Sequence, residues 1–161
     1  MALTLKNSKL KTTFDYTPIS QLGEDKPFSV RFNIIALDAL AKLQDDALTV
    51  NKDGEYNISV NTLNYEVLKQ SLIAWSNIED DKGPIRFKRD NAGTTDSTLQ
   101  LIPAEIRSEL ATIIVEVSKD LPNAEDYLAE VGKIAEDELE DEDNEEEAEE
   151  KVPAKRGKTT K

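Results

Sequence analysis

Two pairs of adjacent carboxylates, Asp45-Asp46 and Asp80-Asp81, have the side-chain types and spacing that come nearest to acid–base or magnesium chemistry. A general acid and a general base need different environments and an organised partner, a part most often played by histidine. The sequence has no histidine and no cysteine, which removes the commonest general base, thiol nucleophiles, thiolate metal sites and disulfides. Adjacent acids in turns are usually solvated, so neither pair reads as catalytic. The six glycines are scattered singly, with no phosphate loop, and no H-E-x-x-H, C-x-x-C or G-x-S-x-G pattern occurs. Asp141 to Glu147 lacks the glycine and flanking helices of a calcium loop. No cofactor, metal or catalytic residue is expected, and the chain reads as a non-enzyme.

Two other chemistries remain, recognition of phosphate and docking of apolar surface. Lys82, Arg86, Lys88 and Arg89 cluster around Phe87 but alternate with Glu79, Asp80 and Asp81. A mixed-charge strand face is the plainer account than a phosphate patch, so the domain is not expected to bind nucleic acid. Apolar docking has two candidates. Trp75 and Phe87 flank an acidic turn, and Ile106, Leu110, Ile113 and Val117 recur at helical spacing. Each also fits plain core, because aromatic residues and amphipathic stripes usually face their own domain. As a docking stripe, Ile106 to Val117 would receive another amphipathic helix at positions three and four apart.

The elements that carry these residues follow from periodicity. Thr12 to Thr17 alternates Phe14 and Tyr16 with polar neighbours, and Pro27 to Ile35 places Phe28, Val30, Phe32 and Ile34 on one face, which predicts two strands. Asp38 is an expected N-cap for a helix to about Leu48. Asp53-Gly54 between Thr49-Val50 and Tyr56 to Val60 predicts a hairpin. A second helix, capped by Asn61 or Thr62, is expected through Leu63, Val67, Leu68, Leu72 and Trp75. Asp80, Asp81, Lys82 and Gly83 then make a turn, and Pro84 starts a short extended piece. Asn91 to Ser97 is small and polar, the composition of a mobile surface loop. Pro103 suits the first turn of the amphipathic helix, Leu121-Pro122 ends it, and Asn123 can cap a last helix with Tyr127, Leu128, Val131 and Ile134 inward.

Charge divides the chain. Its formal net charge is −13, yet residues 136–150 contain twelve acids and no base, and residues 151–161 contain five bases and no acid. Residues 1–135 carry 21 acids against 15 bases, so the body is only mildly acidic. A run of like charge this dense cannot bury apolar surface, and the expected layout is one domain over 1–135 followed by a disordered acidic then basic tail over 136–161. The fold class is α+β, with a small N-terminal antiparallel sheet and hairpin and a mainly helical C-terminal half. No long apolar run follows Met1-Ala-Leu-Thr-Leu-Lys6, so neither a signal peptide nor a spanning helix is expected.

The order Trp75, Asp80, Gly83, Pro84, Ile85, Phe87, followed by Leu99, Ile102 and Pro103, resembles the tail assembly chaperones of long-tailed, siphovirus-type bacteriophages. So does the Lys26-Pro27-Phe28 entry into an alternating strand. The resemblance runs roughly from Asp25 to Lys119, and its feature is a helix ending in Trp, a short acidic turn of the form Asp-x-x-Gly-x-Pro-hydrophobic-x-Phe or near it, here Asp80-x-x-Gly83-Pro84-Ile85-x-Phe87, and a further helical segment. It implies a protein of the host cytoplasm, missing from the mature virion, that keeps the tape-measure protein soluble until tube subunits polymerise around it. The implied partners are the tape-measure protein, then the tail tube protein and a second copy of the chain, with no membrane. A charged end such as Gly157 to Lys161 would suit the short form of a frameshifted pair. Two other classes fit a small chain without active-site residues. One is a structural virion component, either a tail-completion or a head-tail connector protein. The other is an acidic mimic of DNA, for which the carboxylates are packed in one block rather than spaced like phosphates.

Overall fold

The structure, a computed structural model, describes residues 10–134. The tail expected to be disordered, residues 136–161, lies outside the described residues. The fold is α+β. Strands β1 (Thr13–Tyr16), β2 (Ser29–Asn33) and β5 (Leu72–Ser76) form an antiparallel sheet in the order β1-β2-β5. Helix α1 (Leu37–Asp46), hairpin β3–β4 (Leu48–Val50 and Tyr56–Ile58) and helix α2 (Val60–Ser71) lie between β2 and β5 in the chain. Two short hairpins follow, β6–β7 (Glu79–Asp80 and Gly83–Pro84) and β8–β9 (Arg89–Asp90 and Gly93–Thr94). The one-turn helix α3 (Asp96–Leu99), helix α4 (Ala104–Lys119) and a last helix, α5, over residues 124–134 complete the described chain.

Alternation builds the sheet as expected. Phe14, Tyr16, Val30 and Phe32 are buried on one face, while Asp15 and Arg31 pair across the other at 2.7 Å. The buried face joins α2 and α4 in one apolar cluster that includes Phe32, Val67, Leu68, Leu72, Leu99 and Ile114. Two polar side chains tie sheet to helix. The Ser118 hydroxyl donates to the Ile114 carbonyl (2.6 Å) and accepts from the Ile35 N–H (3.0 Å), and the Glu109 carboxylate accepts from the Tyr16 hydroxyl (2.7 Å) and the Ile19 N–H (2.8 Å).

Burial, and after it the bond to Glu109, pushes the Tyr16 phenol well above its ordinary value. A group whose folded pKa is raised contributes stability that is complete below its unfolded pKa and is lost as pH climbs past it. Unfolding midpoints should therefore fall above about pH 10. In a denaturant titration series Tyr16→Phe should make that fall shallower, and an unchanged slope would show that the phenol is not held neutral by this pair.

The chain departs from expectation in several places, the simplest being Ile134, expected inward on the last helix but 53% exposed at the end of α5. Helix α1 starts after Ala36, with Asp38 inside its first turn accepting from the Ala39 N–H (2.9 Å), so Asp38 is not the N-cap. Helix α2 is entered from Ser59 rather than Asn61 or Thr62, its hydroxyl bonded to that of Thr62 at 2.8 Å. Pro103 is the N-cap residue of α4 and precedes its first turn.

The larger departure is that α2 stops at Ser71, and Leu72–Ser76, expected as its last turn, is strand β5. Leu72 turns extended (φ −65°, ψ 134°) and pairs with Phe32. Between Phe32 and Ser29 the partner strand has one residue fewer than β5 has between Leu72 and Ser76, which places a bulge at Ile73. That bulge sets both Leu72 and Trp75 toward the core.

Asn91 to Ser97 is likewise not a mobile loop. It holds the β8–β9 turn and the start of α3, with Gly93 and Thr94 buried and Thr98, the next residue, buried as well. The Thr94 hydroxyl donates to the Leu72 carbonyl (3.0 Å) under full burial. Small polar residues serve close approach here.

Candidate functional site

Trp75, at the end of the sheet, anchors the turn that follows it. Its Nε1 donates to the Ile85 carbonyl (2.9 Å), and the Phe87 ring meets it edge-on with centroids 5.2 Å apart. The Ile85 N–H in turn donates to the Ile78 carbonyl (2.8 Å). Asp80 accepts from the Lys82 N–H (2.8 Å) and Gly83 takes φ +112°, so the β6–β7 turn is closed by the Asp-x-x-Gly order itself. Asn77, at φ +60°, donates through its amide to the Pro27 carbonyl (2.7 Å) and pins this hairpin to the entry of β2. Trp75 and Phe87 are half-buried and pack against the main core.

Ile78 continues from that unit into an open groove of about 260 Å³, lined by Phe28, Ile78, Leu101, Ile102 and Ile106 with Gln21, Asn77 and Glu79 at its polar rim. Leu101 is exposed and Ile106 half-buried. The first turn of α4 thus meets the turn after β5 around a shallow apolar depression.

The six residues with docking potential separate. Trp75, Phe87 and Ile106 keep exposed surface. Leu110, Ile113 and Val117 are 1, 5 and 0% exposed and lie in the core against α2 and the sheet, so in this conformation they present nothing to a partner. The stripe on α4 faces its own domain except at its N-terminal end. What the sequence did not single out was Leu101, which lies in the α3–α4 connection outside any periodic segment. No sequence signal marks it, because the residue before Pro103 is the buried Ile102.

The carboxylate pairs remain apart from this groove. Asp45 and Asp46 close α1 on the surface, and Asp80 is occupied as a turn acceptor. No three His, Cys, Asp or Glu side chains come together as a metal site among the described residues. Of the basic cluster, Arg89 donates to the Gln70 carbonyl at the end of α2 (3.3 Å), while Lys82, Arg86 and Lys88 are exposed. No described helix is long and apolar enough to cross a membrane. Comparison with protein-family models, with curated proteins and with solved structures finds no match.

Proposed function

We propose that this protein is a non-enzymatic tail assembly chaperone, which holds the tape-measure protein of a long-tailed phage in solution until tube subunits polymerise around it. The observation that supports this most is the groove between the turn after Trp75 and the start of α4. There Ile78, Leu101 and Ile106 leave apolar surface open on the part of the chain whose residue order resembles that family. A client helix would seat side chains three and four residues apart in such a depression. The twelve acids of residues 136–150 would keep loaded complexes apart by repulsion. The resemblance here rests on residue order, since Trp75 sits on a strand and not at a helix end.

Leu101 is 48% exposed, so Leu101→Asp can test the groove without opening the core. Co-expressed with the tape-measure protein of the same phage, the wild-type chain should keep that client in the soluble fraction. The variant should lose several-fold of it at an unchanged melting temperature. A client that precipitates beside the wild-type chain, or stoichiometric copies of the chain in purified particles, would overturn the proposal, the second outcome in favour of a virion component.

A further inference from the structure

The β3–β4 hairpin presents an apolar face that nothing in the described chain covers. Its register pairs Leu48 with Ile58 and Val50 with Tyr56, which sets all four side chains on one side. They are 41, 49, 61 and 75% exposed, respectively, and every residue of both strands is exposed. Thr49 and Asn57 take the other side, with the Thr49 hydroxyl donating to the Asn57 carbonyl (3.1 Å). The loop is well made, because the Asn51 side chain accepts from the N–H groups of Asp53 (3.0 Å) and Glu55 (2.9 Å). The base is tied by the Ser59 N–H to the Ala47 carbonyl (2.9 Å). A two-stranded hairpin is marginal in water unless a face is covered. A contiguous apolar patch on a hairpin built this firmly marks an interaction surface.

We propose that this face docks a basic amphipathic helix of a partner protein. Residues directly opposite are about 5 Å apart and alternate residues about 7 Å apart, so the patch suits roughly two turns of helix at 5.4 Å per turn. Charge selects the flanks of that helix. Asp45 and Asp46 lie at the base of the hairpin, at the negative end of α1, whose last turn has no basic residue, and Asp53 and Glu55 lie at the tip. All four are exposed, and among the described residues none is in an ion pair. The basic groups nearby are Lys52 in the loop and Lys42 on α1, which leaves the rim acidic.

A second copy fits less well. Face-to-face pairing would crowd eight carboxylates around the patch, where a basic helix meets them with opposite charge. The surface is separate from the Leu101–Ile106 groove and requires no particular client.

A labelled 14-residue Leu/Lys peptide patterned as an amphipathic helix, with a scrambled peptide of equal charge, tests this on the full-length chain. The test variant is Val50→Thr with Tyr56→Thr, which keeps strand propensity and removes apolar surface. The wild-type chain should bind the patterned peptide at least tenfold more tightly than the scrambled one. The double variant should lose that preference at an unchanged melting temperature, and Asp45→Asn with Asp46→Asn should flatten the salt dependence. Equal binding of both peptides by wild type and variant would overturn the proposal as charge capture alone. Concentration-dependent dimerisation abolished by the double variant would overturn it in favour of a second copy. Neither result bears on tape-measure solubility, which reads the other groove.

Discussion

Gly93→Ala is expected to destabilise the protein by about 3 kcal/mol or more, well beyond what a turn glycine usually contributes. Gly93 takes φ +121°, where an L side chain is strained. A Cβ there would also fall onto the carbonyl oxygen of Lys69 and lie 3.0 Å from its carbonyl carbon. That obstacle is backbone in the last turn of α2, so it cannot rotate away. Relief requires β9 to move off α2, which would break the buried Thr94 hydroxyl bond to the Leu72 carbonyl and leave that acceptor without its partner. Gly83 is the natural control. It holds the same place in the preceding hairpin at φ +112°, with open space around its Cβ position, so Gly83→Ala should cost only backbone strain, about 1 kcal/mol. Chemical denaturation of both variants tests the difference. Equal small losses would mean that β9 does not approach α2 this closely.

The same two turns show what could be read in the sequence and what could not. Alternation is a local signal, so β1, β2 and the β3–β4 hairpin were legible from Phe14, Val30, Phe32 and Asp53-Gly54 alone. The strand at Leu72–Ser76 was not, because the bulge at Ile73 places Leu72 and Trp75 on one face at a spacing of three, and three is also a helical spacing. Only the ladder with β2, which is a long-range contact, decides between them. Asn91 to Ser97 failed for another reason. Gly93 and Thr94, with Thr98 just beyond the segment, have loop composition but are buried, and their smallness lets β9 and α3 sit against α2.

A local sign was present even so. Asp90-x-x-Gly93 repeats Asp80-x-x-Gly83, and in both the aspartate accepts from the N–H two residues on, at 2.8 Å. The candidate site was half legible. Trp75, Phe87 and Ile106 retain surface, whereas Leu101 and the bare face of the β3–β4 hairpin carry no mark in the sequence, since periodicity reports which residues share a face and not whether anything covers it.

Leu110→Ala separates the two meanings of the α4 stripe. If Leu110 were a docking residue, its truncation would weaken a partner and leave the free chain nearly as stable as before. Its position predicts the reverse. Leu110 is 1% exposed and belongs to the same cluster as Val67, Leu68 and Ile114, where a residue in contact on all sides leaves a cavity that the surrounding helices close only in part. The expected loss is about 2–5 kcal/mol, or a fall in Tm of roughly 10 °C. Ile106→Ala, four residues earlier on the same stripe, removes as many carbons from a half-exposed position at the groove. It should cost well under half as much stability while reducing client solubility in co-expression. Paired melts and co-expression therefore read the helix along its length, with stability changing most at Leu110 and function most at Ile106. If the two variants lost equal stability, Ile106 would be as deep in the core as Leu110. The groove would then have no floor to offer a partner.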